Sequence, residues 1–338
     1  MENAGHRRIP HRPHRLVTPG LPYWLMPETL GPFKATDPAQ SLKKSIAQAK
    51  SAKADAIVVL GHFGQLNEDD FANPLRETLK AAPGADVFIA GHTHKNIPSE
   101  TVEGVLYTQA GYFGINCGKV DLTFDVNSRK LIAATAGNDF MDSSVELDPG
   151  VIQISQPHLR DSDEQLARQI AVLDEPMLGR KRDSPLCKFL CESILRALEK
   201  KKIKADAVFH GTFGTPLIPK GPVTVADAWE ILPYENTLIV AEILPKQMLE
   251  ILTEDRGSDR ILYPFTVVFE KKQATDILFD GKPIDPDTPL TIAFNSYDSQ
   301  SGGQRLIKLR EIIHSDSAKR RPLDINTRDA LIEHFLNL

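Results

Sequence analysis

Apolar positions first fall into a regular rhythm after Thr36. Leu42, Ile46 and Ala49 recur at helical spacing as far as Lys53, behind an Asp37-Pro38 pair that supplies an N-cap and a first-turn proline. The pattern then becomes a short unbroken apolar run, Ala54 to Leu60, as expected of a strand covered on both faces, and it stops at Gly61-His62. The unit repeats. Pro74 to Ala82 predicts a second helix, Pro83-Gly84 closes it, and Ala85 to Ala90 forms a second apolar run that stops at Gly91-His92-Thr93-His94.

Beyond this repeat, Gly104 to Val126 alternates and is rich in Tyr, Phe and Val, which predicts antiparallel strands, and the polar stretch 142–160 reads as a mobile domain junction. Gly137-Asn138-Asp139-Phe140, just before it, reads as a turn. In the second half, Ser184-Pro185 caps a helix whose stripe runs through Leu186, Leu190, Ile194 and Leu198, and a strand from Ala205 ends at His210-Gly211. Thr224 caps a short helix before Pro233. Thr237 to Ser296 reads as extended apolar segments separated by Pro and Gly turns, among them Asp280-Gly281 and Asp285-Pro286-Asp287.

A chain of 338 residues with this patterning is long enough for two packed domains. A formal charge of −5 gives no global basic field, which argues against a nucleic-acid polymer as partner; a small anionic substrate would need a local pocket. The three cysteines imply no disulfide framework, and Cys187 and Cys191, one helical turn apart, read as small buried hydrophobes. There is no apolar run of membrane-spanning length and no signal-peptide core, so no compartment is indicated. Gly5 to Arg15 reads GHRRIPHRPHR, a basic, proline-broken arm expected to be disordered.

In open α/β sheets ligands collect beyond the carboxyl ends of strands, so His62, His92 and His94 are expected to project into one crevice as metal ligands. Neutral imidazole suits zinc, manganese, nickel or iron. The runs VVLGHFG (Val58 to Gly64) and ADVFIAGHTH (Ala85 to His94) resemble the closing motifs of the dinuclear metallophosphoesterases, and LVTPGLP (Leu16 to Pro22) resembles the strand and turn preceding them in the 5'-nucleotidase branch. Further on, TVADAWEILPYENTL (Thr224 to Leu238) and IAFNSYDSQSGG (Ile292 to Gly303) resemble the nucleotide-binding C-terminal domain of 5'-nucleotidases.

That resemblance implies a partial four-layer metallophosphoesterase domain over residues 16–145 and an α/β 5'-nucleotidase C-terminal domain over 146–338, after a disordered arm at 1–15. It implies that His62 and His92 ligate one divalent ion and His94 another, the ions being manganese, zinc, cobalt or similar. It also implies that Tyr234 and Tyr297 clamp a nucleobase, with Asn236, Asn295, Gly302 and Gly303 lining the substrate site. The substrate would be a small phosphorylated compound, nucleotide-like, hydrolysed as a phosphomonoester.

The chain departs from the family in ways that bear on chemistry. Two ions about 3.5 to 4 Å apart need bridging carboxylates, yet no Asp-x-His and no Gly-Asp dipeptide occurs, so the metal set is expected to be incomplete and no catalytic residue is assigned. The arginine expected in a strand-end loop is replaced in the run His210 to Thr215, and Arg180 or Arg182 matches another family arginine. The reading is a 5'-nucleotidase-like phosphoesterase, truncated at its N-terminus and inactive or very weak as this chain. The rival readings are a non-catalytic nucleotide-binding module and a gene-model fragment.

Overall fold

A computed structural model describes residues 15–179, 184–213, 216–255 and 260–338. Apart from Arg15, which opens the first strand, the basic arm lies outside the described residues, as do Arg180, Arg182 and the loop pair Gly214-Thr215. The chain divides into two compact units. The first holds residues up to 22 and 32–147, the second residues 23–31 and 148–338.

In the first unit, strands β1 (Arg15–Val17), β2 (Val58–His62), β3 (Val87–Ala90), β4 (Asn96–Val102) and β5 (Val105–Ala110) form one sheet in the order β1-β2-β3-β5-β4. All neighbours pair in parallel except β4 and β5. The helix Pro38–Ser51 starts where the sequence places it, with the Asp37 carboxylate accepting from Gln40 N–H at 2.7 Å. Its Leu42 and Ile46 join Leu75 and Leu79 of the helix Leu75–Ala81 in packing on Val59, Phe88 and Tyr107 of the sheet. Full burial stabilises each such side chain by roughly 1.5 to 3 kcal/mol. Strand β2 begins later than the apolar run does, because Ala54 N–H still closes the helix on Ala49 and Asp86 accepts from Ile57 N–H at 2.7 Å. Gly61 in β2 is a packing requirement: a Cβ there would lie 2.2 Å from Phe88 Cζ.

The expectation for Gly104 to Val126 holds in part. Strand β5 is antiparallel to β4 but parallel to β3, while β6 (Asn116–Phe124) and β7 (Leu131–Phe140) form an antiparallel hairpin. Gly137 to Phe140 is therefore the end of a strand and not a turn. Asn138 explains why, since its amide donates to Gln109 O at 2.8 Å and to Asn96 Oδ1 at 2.6 Å, tying β7 to the larger sheet. Ile132 and Phe140 of this hairpin remain exposed.

The boundary between the units falls after Leu147, inside the expected junction, but that junction is not the irregular stretch read from the sequence: residues 149–166 are a helix, Pro149–Leu166, capped by Asp148 accepting from Gly150 and Val151 N–H at 2.8 and 3.0 Å. Its side chains are not buried, which is why the sequence there lacks an apolar stripe. The principal sheet runs Ile261–Tyr263, Ala207–His210, Leu290–Asn295, Thr237–Ile243, Arg321–Asn326. Ala207–His210 and Leu290–Asn295 are parallel, and the other pairs are antiparallel.

Alternate residues of these strands enter opposite cores, as the period of two demands. Val208, Leu238, Val240 and Ala293 pack with Leu186, Leu190 and Ile194 of the helix Pro185–Lys200. On the other face Phe209, Ala241, Ile292 and Phe294 pack with Met248 and Ile251 of Pro245–Glu254 and with Leu309 of Ile307–Ile313. Helices thus cover both faces of a mixed sheet. The helix Pro245–Glu254 corrects the reading of Thr237 to Ser296 as extended throughout; Leu244-Pro245 is a helix start, with proline at the first helical position. Cys187 and Cys191 are fully buried in the first of these cores and carry no disulfide. No helix among the described residues is long and apolar enough to cross a membrane.

Candidate functional sites

His62 closes β2 and His92 follows β3, and because the two strands pair in parallel with Gly61 opposite Ala90, both imidazoles emerge at the same sheet end. Their ring centroids are 5.3 Å apart. His94 stacks on Tyr112 at 5.4 Å and is close enough for its charge to act on His92. Burial first, then the neighbouring His62 and His94, push the His92 imidazole below its ordinary range, against an opposing pull from Asp70. A neutral ring is the metal-binding form. His92 and His94 both have left-handed backbones, φ 70° and 56°, conformations that non-glycine residues occupy at a cost of order 1 to 3 kcal/mol and that cluster at functional sites.

What holds these loops is a buried polar frame that sequence reasoning missed. The Gln109 amide is best satisfied with its oxygen accepting from His94 and Lys95 N–H, each at 3.0 Å, and its nitrogen donating to Thr93 Oγ1 and Tyr107 Oη. Tyr107, fully buried and pushed by burial up to about 12, keeps its proton and accepts from Gln65 N–H at 2.9 Å. Asn73 accepts from Gly64 N–H at 3.1 Å, and Asp70 accepts from the Ala72 and Asn73 N–H groups. Asp70 and Asn73 lie between the two Gly-His motifs, and Tyr107 and Gln109 lie beyond the second, where no spacing rule marks them.

The donors fit a two-ion centre poorly. Among the described residues no group of three or more His, Cys, Asp or Glu side chains is disposed to hold a metal ion. The imidazoles are neutral donors, and the nearby carboxylate Asp70 has Oδ1 committed to the backbone and to Asn73.

In the second unit the predicted substrate residues gather at one end of the principal sheet. Leu238 pairs with Asn295, so the loop entering Thr237–Ile243 lies beside the turn leaving Leu290–Asn295, and Ser296 Oγ bridges them, accepting from Thr237 N–H at 3.2 Å and reaching Asn236 Oδ1 at 3.5 Å. Tyr234 and Asn236 belong to the first segment, Tyr297 to the second. Tyr234 is exposed and meets Phe213 edge to face at 5.1 Å. Its loop is clamped by Arg328, which donates to Leu232 O at 2.8 Å, pairs with Glu235 and covers the Trp229 ring.

Asn295 spends its side chain inward. Its oxygen accepts from Asp298 N–H and its nitrogen donates to Asp298 Oδ2, both at 2.7 Å, so it shapes the Tyr297 turn. Asp298 is further gripped by Arg260, whose Nε and Nη2 donate to its two oxygens at 2.7 and 2.6 Å, while Nη1 donates to Asp255 at 3.1 Å. Burial would push Asp298 up; the Arg260 charge and hydrogen bonds outweigh it and hold the carboxyl below its usual range. After this turn Ser301, Gly302, Gly303 and Gln304 all have positive φ, 90°, 52°, 70° and 65°. Arg305 then folds back, its Nε donating to Gly302 O at 2.8 Å and its Nη2 to Tyr297 Oη at 3.4 Å.

His210, at the end of the neighbouring strand, is fully buried, and its Nε2 finds no hydrogen-bond partner among the described residues. Burial pushes its imidazole down from an ordinary value of about 6.5, with Asp298 pulling up and Arg260 pushing down. His314 and His334 are displaced the same way, burial first. The folded state therefore binds fewer protons than the unfolded one near pH 6. Stability is fully present above about 6.5 and is lost as pH falls through the folded-state values. The urea midpoint is expected to drop between pH 7.5 and 5.5, and less steeply in His210→Gln; a flat midpoint across that window contradicts the burial assigned to these rings.

Residues 169–310 match the family described as "5'-nucleotidase, C-terminal domain". The chain is 26% identical to the endonuclease YhcR of Bacillus subtilis over 309 residues, 86% of this chain and 24% of that protein. A Staphylococcus aureus protein described as a 5'-nucleotidase and solved with alpha-ketoglutarate superposes with a TM-score of 0.74 at 21% identity, over 96% of this chain and 69% of that one. The 5'-nucleotidase precursor of Thermus thermophilus gives 0.60 at 19%, over 91% and 66%. The chain thus spans about a quarter of the endonuclease and about two thirds of the two solved structures. Tyr234, Asn236, Asn295, Tyr297, Gly302 and Gly303 all fall within the matched residues, so residues 169–310 are a 5'-nucleotidase C-terminal domain, and the chain as a whole shares the fold of the two solved 5'-nucleotidases.

Proposed function

We propose that this is a chain of the nucleotide-phosphomonoesterase type, whose second unit recognises a nucleotide-like phosphomonoester and whose first contributes His62, His92 and His94 to an incomplete divalent-metal set. The observation that carries the ligand reading is the gathering of Tyr234 and Tyr297 on two segments bridged by Ser296 at one sheet end. Rings there give a base a stacking surface worth about 1 to 3 kcal/mol per base with little discrimination among bases. Gly302 and Gly303 let backbone approach a ligand closely. Arg305, exposed and anchored on Gly302 and Tyr297, offers a guanidinium to the anionic end, a role the loop after His210 no longer fills.

In this reading Asn295, Asp298 and Arg260 position the turn, and Asn236 joins the two segments. His62, His92 and His94 would hold a divalent ion through neutral nitrogens, the ion supplying charge at the phosphoryl group when bound. A second reading, a nucleotide-binding module without chemistry, draws support from the shortage of carboxylates around those histidines. The test of the ligand reading is calorimetric titration of the chain with adenosine monophosphate. Tyr234→Ala is expected to weaken binding about tenfold, equivalent to about 1.4 kcal/mol. No measurable binding by the unaltered chain, or an unchanged affinity in Tyr234→Ala, overturns it.

A further inference from the structure

The segment 23–31 precedes nearly the whole first unit in sequence yet packs with the second. It is fastened to the turn that carries Tyr297. Met26, almost fully buried, meets Gln300 Nε2 through its sulfur at 2.9 Å, and Ser301 Oγ reaches Tyr23 O at 3.5 Å. Arg310 lies over the Tyr23 ring at 4.7 Å, and Arg320 pairs with Glu28 at 2.7 Å. The first two contacts, through Gln300 and Ser301, fall within residues 297–304, the stretch whose last four residues all take the left-handed backbone. Ser301 and Gln304 are not glycine, and each holds this conformation against a steric cost of about 1 to 2 kcal/mol. A turn so strained persists only when its surroundings over-determine it.

Trp24 is the residue of the strap that reaches the candidate ligand surface. A Cβ built on Gly303 would lie 3.2 Å from Trp24 Nε1 and 3.1 Å from Tyr297 Oη, so the indole edge and the phenol both border the space that a side chain at Gly303 would fill. Both side chains are half-buried, each leaving part of its ring uncovered. The two aromatic groups therefore close on Gly303 from two elements far apart in sequence.

We infer that the strap 23–31 is part of the ligand site, with Trp24 a positioning residue that holds Tyr297 and the Gly302-Gly303 turn in register and walls one side of the space where a nucleobase stacks. This rests on the nucleotide reading above. An indole beside Tyr297 adds apolar, polarisable surface against the base, so the ligand class it favours is a purine nucleotide over a phosphorylated sugar without a base.

The chain holds two tryptophans, Trp24 and Trp229. In a Trp229→Phe protein, which keeps a ring beneath Arg328, Trp24 is the single indole reporter. Titration with adenosine monophosphate, excited at the indole edge, is expected to quench its emission along a curve that gives the dissociation constant found by calorimetry on the same protein. Trp24→Ala is expected to weaken binding about tenfold and Trp24→Phe less than about threefold, as for loss and retention of one stacked ring. Calorimetric binding with Trp24 emission unmoved at saturation overturns the inference and leaves the nucleotide reading standing. Absence of calorimetric binding overturns that reading and the inference with it. Should Trp24→Ala fail to fold, the emission titration of the Trp229→Phe protein decides alone.

Discussion

Arg260→Met is expected to cost the second unit about 3 to 5 kcal/mol, the penalty for stranding a buried charge by removing its partner. The carboxylate it would strand is that of Asp298, whose side chain is 1% exposed. Against a total stability of about 5 to 15 kcal/mol for a domain, that loss approaches unfolding. The effect is expected to be specific to the pair: Arg260→Met combined with Asp298→Leu should be less damaging than the two single losses added together, because the second change removes the stranded charge. The cost should also shrink as pH falls toward 4, since protonation relieves what the missing guanidinium no longer balances. Urea midpoints of the single and double variants at pH 7 and 4 measure both. A midpoint for Arg260→Met within experimental error of the unaltered chain would mean that the bidentate pair does not form.

This pair also shows where sequence reading ran out. The apolar rhythm exposed the helices Pro38–Ser51 and Pro185–Lys200, because Asp37, Ser184 and the proline after each mark the start and the buried stripe follows. It exposed His62 and His92, because a strand ending in Gly-His announces itself. It did not expose Arg260 or Asp298, which are distant in sequence and acquire a shared role only when the Tyr297 turn and the strand starting at Ile261 are brought together. The same holds for Gln109 and Tyr107, polar groups in β5 whose partners lie in the loops after β2 and β3. Periodicity reports which face is buried, not which buried polar atoms meet. The exposed helix Pro149–Leu166 was missed for the opposite reason: it buries nothing, so no stripe betrays it, and only Asp148-Pro149 at its start carries a signal.

The 338-residue chain assayed alone is expected to hydrolyse nucleoside monophosphates at close to the uncatalysed background. Phosphoryl transfer is accelerated almost wholly by positioning and by charge placed where the transition state develops it. Two ions do this when carboxylates balance and bridge them. In the first unit the strand-end histidines bring neutral nitrogens, the described residues hold no cluster of three potential ligands, and Asp70 is engaged by the backbone around Asn73. Each lost electrostatic contributor of this kind lowers the rate by roughly 10² to 10³, and losses at one centre act together, so added metal is not expected to restore turnover. The measurement is turnover of adenosine monophosphate and of an aryl phosphate with manganese, cobalt or zinc, alongside metal content after dialysis. Fewer than two ions per chain and no metal-dependent turnover are expected. Turnover near 1 s⁻¹, within the ordinary range for enzymes, lost in His92→Ala and accompanied by two bound ions, would show that carboxylates outside the described cluster complete the centre and that the first unit is catalytic as it stands.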